Sequence, residues 1–117
     1  MHEERWEAQL RKGCLDLAIL AGLARGRLYG LEILKVLSNE TKLTIAEGTV
    51  YPILSRLKQD GLIASEWVEA EAGHPRKYYW LTKKGRGRAE AMANAWLHFA
   101  ANLTQAVEPL LSGKGRK

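Results

Sequence analysis

The groups best able to do chemistry in this chain lie close together, in the stretch from Thr44 to Ile63. Val50, Leu54 and Leu57 recur at steps of four and three, which predicts a helix with a narrow apolar stripe. Thr49, Tyr51, Ser55, Arg56, Lys58 and Gln59 then fall away from that stripe. Hydroxyls, an amide and cations at helical spacing can meet base edges and phosphates. They form no nucleophile–base pair. Asp60-Gly61 supplies a helix stop, and Leu62-Ile63 resumes as a strand. The stretch reads as the recognition helix of a helix-turn-helix.

Where that helix begins is open at this level. Thr44-Ile45-Ala46-Glu47 matches a capping box, with the Thr44 hydroxyl accepting from Glu47 and Glu47 reaching back. That start buries Pro52 in the helix interior, where it removes a hydrogen bond and costs about 3 kcal/mol. A start at Thr49 instead puts Pro52 in the first turn at little cost. In either case Tyr51-Pro52 breaks a local rule on the polar face, and such exceptions concentrate at functional sites.

The charge is unevenly placed. From His74 to Arg88 there are six basic residues, Arg76, Lys77, Lys83, Lys84, Arg86 and Arg88, and no acid. Set against a chain total of +5, this leaves −1 for everything else. A basic patch favours a polyanionic partner, whereas a solvated basic loop is the plain alternative. Cys14 is the only cysteine, so no internal disulfide forms and a reducing, cytoplasmic setting is expected. The longest apolar run, Leu17 to Ala24, is eight residues, far below the roughly 20 of a membrane span. Glu3, Glu4 and Glu7 interrupt the basic residues before it, so it does not read as a secretory leader. His2, His74 and His98 lack metal-ligand spacing, and no cofactor motif is visible, so an enzyme is not expected.

At 117 residues the chain holds one modest core. Trp6, Leu10, Cys14, Leu17 and Ala21 place a first helix over residues 5 to 24, with Cys14 read as a small core residue. Leu28 to Leu37 reads as a second, short helix with Ile33, Leu34 and Leu37 inward. Ile63 to Thr82 alternates as a hairpin around Glu71-Ala72-Gly73-His74-Pro75, a wing whose His74, Arg76 and Lys77 can reach phosphates. Thr82 is placed to cap a last helix from Lys83 to about Leu111. Its opening cations, Lys83 among them, oppose the helix dipole and make sense beside a phosphate backbone. Ala89, Met92, Trp96, Phe99, Leu103, Ala106 and Leu110 then form a heptad seam that a small domain cannot bury alone, so a second copy is expected. The organisation is mainly α with a small β-hairpin: a winged helix-turn-helix over 1–82, a dimerisation helix over 83–112 and a basic tail over 113–117.

Leu28-Tyr29-Gly30-Leu31-Glu32-Ile33, Glu47 through Leu57, Asp60-Gly61-Leu62-Ile63 and Pro75 through Thr82 with Gly85 together resemble the PadR family of bacterial transcriptional regulators. The resemblance spans about residues 10 to 88. It implies a winged helix-turn-helix homodimer, usually a repressor, whose third helix enters the major groove between flanking wings. The single long C-terminal helix looks like the family's short-tailed branch. Some members of that branch hold flat aromatic drugs between paired tryptophans, and Trp96, with Phe99 nearby, falls at the matching place. No carboxylate lies between Glu90 and Glu108 to favour a cationic drug, and dimer core is the other role for Trp96.

The expected function is therefore a DNA-binding repressor, dimeric on an inverted-repeat operator and released by a planar aromatic or phenolic effector. Thr49, Tyr51, Pro52, Ser55 and Arg56 would face the major groove, with Arg56 on guanine or phosphate. His74, Arg76, Lys77 and Lys83 would hold the DNA backbone. A winged-helix module that binds protein is the rival.

Overall fold

Three apolar stripes meet at one core in the computed structural model, which describes residues 2–43, 45–69 and 73–112. Ile19, Leu20 and Leu23 come from α1 (His2–Leu23), Ile33 and Leu37 from α2 (Gly30–Thr41), and Val50, Leu54 and Leu57 from α3 (Glu47–Gln59). Leu62, Ile63 and Tyr79 close the core from the sheet side. Each buried aliphatic of this kind stabilises the fold by about 1.5–3 kcal/mol. The core therefore fixes the angle at which α3 is presented.

The sheet has one strand more than the sequence suggests. β2 (Ile63–Val68) and β3 (Arg76–Leu81) form the expected antiparallel hairpin, with Ile63 opposite Leu81 and Val68 opposite Arg76. β1 (Leu28–Tyr29) adds on the other side of β3, pairing Leu28 with Tyr79 and Tyr29 with Tyr78. Leu28 and Tyr29 thus belong to a strand, and α2 starts only at Gly30. The Glu32 carboxylate accepts the Tyr29 N–H at 3.0 Å and closes that helix start. At the other end Lys42, at φ 62°, donates to the Ser38 carbonyl.

Helix α3 begins earlier than a Thr49 cap would allow. Its N-cap is Ala46, without a side-chain cap, and Thr49 lies inside the first turn; Thr44 is outside the described residues. Pro52 is therefore interior and has no N–H to offer the Gly48 carbonyl. The stop falls as expected: Gly61 takes φ 77°, and the Leu62 N–H reaches the Leu57 carbonyl at 3.0 Å.

Helix α4 (Lys83–Ser112) is locked to this unit at its first turn. The Thr82 hydroxyl accepts the Gly85 N–H at 3.0 Å and donates to the Gly61 carbonyl at 2.6 Å. Gly85 is buried so closely that a Cβ there would stand 1.7 Å from the Leu62 carbonyl oxygen. Thr82 is thus the cap, and only glycine fits three residues on. Beyond this joint the 30-residue helix runs out along the molecule's long axis, giving extents of 66 × 32 × 21 Å. The radius of gyration is 17.3 Å, against about 13 Å for a compact chain of this length.

Candidate nucleic-acid interface

Burial of Val50, Leu54 and Leu57 turns Thr49, Tyr51, Pro52, Ser55 and Arg56 to the exposed side of α3. They form an arc with two flanks that differ in what they touch. On the flank towards α2, Tyr51 leans over Gly30: a Cβ at Gly30 would meet the Tyr51 hydroxyl at 2.0 Å. The glycine in Tyr29-Gly30-Leu31 thus makes room for a recognition-helix tyrosine. The Tyr79 hydroxyl beneath is held above its ordinary pKa, mainly by burial and then by the nearby Tyr51.

On the flank towards α1, Arg56 does not project freely outward. Its guanidinium makes a bidentate pair with Asp16 of α1, at 2.9 and 3.0 Å. That hydrogen bond, then the Asp16 charge, raises the Arg56 pKa further, so the guanidinium is cationic at every working pH. A guanine or a phosphate would have to compete with Asp16 for this guanidinium, which is half exposed. In the free chain Arg56 ties the recognition helix to α1.

The wing lies beside the Tyr51 flank, and a cleft of about 530 Å3 opens between them. Tyr51, Ser55 and Glu47 line it from α3, and Trp67, Pro75, Arg76 and Lys77 line it from the wing. Both wing cations ride on aromatic rings: Arg76 is 4.6 Å from the Tyr29 centroid, and Lys77 is 5.6 Å from Trp67 and 5.9 Å from Tyr79. Such stacking aims a cation while leaving it hydrated. His74 is exposed near the hairpin turn, and Lys83 is exposed at the start of α4. The hairpin and the joint at Thr82 hold them on the chain segments flanking α3, but no described contact joins either to the cleft.

The basic run from His74 to Arg88 is less available than its composition suggests. Lys84 donates to the Asp60 carbonyl at the end of α3 at 3.0 Å, and Arg86 to the Ala24 carbonyl after α1 at 3.2 Å. These cations sit on the negative ends of two helices, where they stabilise by about 0.3–1 kcal/mol each. Their placement at the start of α4 is thus explained within the fold, without a phosphate. Three features escaped the sequence reading: the Asp16–Arg56 pair, the Gly30–Tyr51 contact and the exposure of Trp67. Only Gly30 left a signal, as a glycine inside the expected second helix, where it costs about 1 kcal/mol relative to alanine.

Among the described residues, no group of three or more His, Cys, Asp and Glu is placed to hold a metal ion, and no helix is long and apolar enough to cross a membrane. A helix-presenting core, an exposed third helix, a three-stranded sheet with a projecting hairpin and a long trailing helix define a winged helix-turn-helix protein. The family model described as transcriptional regulator PadR-like matches residues 19–91, well over half of the chain, and the chain belongs to that family. Its members are regulators of transcription and not enzymes.

Solved structures agree. A PadR family transcriptional regulator from Eggerthella lenta is 30% identical and superposes with a TM-score of 0.80, covering 90% of this chain and 91% of its own. A PadR-like transcriptional regulator from Bacillus cereus is 28% identical with a TM-score of 0.76, over 86% and 97%. PadR of Bacillus subtilis, solved in complex with operator DNA, is 26% identical with a TM-score of 0.63; the match covers 68% of this chain and 45% of that one.

Proposed function

We propose that this regulator binds duplex DNA in the cytoplasm as a homodimer, on an inverted-repeat operator, and represses transcription there. The observation that carries the reading is the exposed arc of α3 beside a wing whose Arg76 and Lys77 line the same cleft. Thr49, Tyr51, Pro52 and Ser55 enter the major groove, while Arg76, Lys77, His74 and Lys83 hold the backbone on either side. Operator DNA on the Bacillus subtilis relative supports the same partner for this chain.

The second copy docks on the apolar faces of α1 and α4. Trp6 and Leu10 on the first helix, with Trp96, Leu97, Phe99, Leu103, Leu110 and Leu111 on the last, are each about half or more exposed in the single chain. A monomer rarely leaves so much apolar surface in one region. A planar aromatic or phenolic effector stacks on Trp96 and Phe99 within that seam and releases the DNA.

A fluorescence-anisotropy titration against duplex DNA at several salt concentrations tests the reading. Binding should weaken steeply with salt, and Arg76→Ala should flatten the logarithmic slope by about 1. Absence of salt-dependent binding to any duplex would leave the protein-binding winged helix as the better description. Effector release should appear as quenched tryptophan emission together with lost anisotropy, and Trp96→Phe should abolish the quenching.

A further inference from the structure

Trp67 is 65% exposed, although it is a large aromatic on a strand whose first residue, Ile63, is buried in the core. It stands next to the outer end of β2, directly opposite Lys77 on β3. Alternation puts Trp67 and Lys77 on the same sheet face as Tyr79, whose ring is buried against the core near Tyr51. That face therefore runs outward from the core and becomes one wall of the cleft opposite Tyr51 and Ser55. An indole so exposed adds little to folding, since most of its apolar area stays in water.

Resting on the reading that duplex DNA docks on α3 and the wing, we propose that Trp67 is itself a DNA contact. Its ring packs against the deoxyribose of the strand lying between α3 and the wing, and its indole N–H donates to the adjoining phosphate. Lys77, beside the ring, pairs with the same phosphate. The charge of the cleft selects this occupant: Lys77 on this face and Arg76 at its rim line it against the single carboxylate of Glu47. An indole offers one donor and no acceptor, which suits a phosphate oxygen and a sugar face, and its flat surface makes no demand on base identity. The contact is therefore expected to raise affinity for all sequences alike.

The test uses the full chain and a fluorescein-labelled duplex of mixed sequence, titrated at several salt concentrations. Trp67→Ala should weaken binding roughly tenfold with the salt slope unchanged, because the lost group is neutral. Trp67→Phe should fall between the two, and the DNA-induced change in tryptophan emission should shrink in that variant. Lys77→Ala should lower the slope by about 1. Unaltered circular dichroism and thermal midpoint in Trp67→Phe keep the comparison free of folding effects. Affinity of Trp67→Ala within about twofold of wild type would overturn the proposal while leaving DNA binding intact. So would a fall in slope equal to that of Lys77→Ala, because Trp67 would then serve only to align the lysine. Loss of wild-type binding to every duplex would overturn both this contact and the reading beneath it.

Discussion

Breaking the Asp16–Arg56 pair separates two roles that an exposed arginine on a recognition helix can play. The Arg56 and Asp16 side chains are 51% and 34% exposed, so solvent screens the pair and it is worth about 0.5–1 kcal/mol of stability despite bidentate geometry. If Arg56 braces α3 against α1, Arg56→Ala and Asp16→Asn should each weaken DNA binding about fivefold, or about 1 kcal/mol. The double variant should then be no worse than either single one, because both remove the same strut. The salt slope should stay constant in Arg56→Ala, since no phosphate contact is lost. The assay is a double-mutant cycle of dissociation constants at near-physiological salt, where the Debye length is about 8 Å and the changed charge of Asp16→Asn acts only locally. Tighter binding by Asp16→Asn, with a slope lowered by about 1 in Arg56→Ala, would refute the brace. Arg56 would then be a DNA contact that Asp16 restrains.

Three other perturbations probe the frame around the interface. Gly85→Ala sets a Cβ 1.7 Å from the Leu62 carbonyl oxygen, a backbone atom that cannot step aside. It should cost about 3 kcal/mol or more in urea unfolding, whereas Gly30→Ala meets only the side chain of Tyr51, hydroxyl and ring edge, which can swing aside, and should cost less. Equal costs would contradict the tight joint at α4. The raised pKa of Tyr79 means that the folded state favours the neutral phenol. That stabilisation is full below the ordinary value of 10.0 and is lost as pH rises through the higher folded value. Tyr79→Phe should therefore flatten the alkaline fall in thermal midpoint, and an unchanged fall would assign it elsewhere. Leu103→Glu places a charge in the α4 seam and should give monomers by sedimentation velocity. Affinity for an inverted repeat should then drop by about 100-fold as the second half-site stops contributing.

The legible parts of the chain were those written in local periodicity. The stripe of Val50, Leu54 and Leu57 located α3, and alternation around His74-Pro75 located the wing, because burial of one face imposes both patterns. β1 was not legible: two residues cannot display alternation, and the partner strand that makes Leu28 and Tyr29 extended begins only at Arg76. The same distance hid the partners of the cations. Arg56 pairs with an aspartate 40 positions upstream, and Arg86 with a carbonyl 62 positions upstream. An arginine waiting for phosphate and an arginine closing a helix end look alike in one dimension. Trp67 reads as a strand residue from its neighbours, but whether the core extends far enough to cover it is decided by where α3 ends and the cleft begins.

Selection of binding sites from a random duplex library, followed by footprinting of the enriched sequence, tests most directly whether two copies of this chain read DNA. Two α3 helices related by a two-fold axis should enrich an inverted repeat, with half-site centres about 10 base pairs, or 34 Å, apart or a multiple of that. Protection should fall on one face of the duplex, and Ser55→Ala or Thr49→Ala should alter the enriched half-site. Enrichment of a single, non-repeated site, or of no sequence at all, would contradict the dimeric reader proposed here.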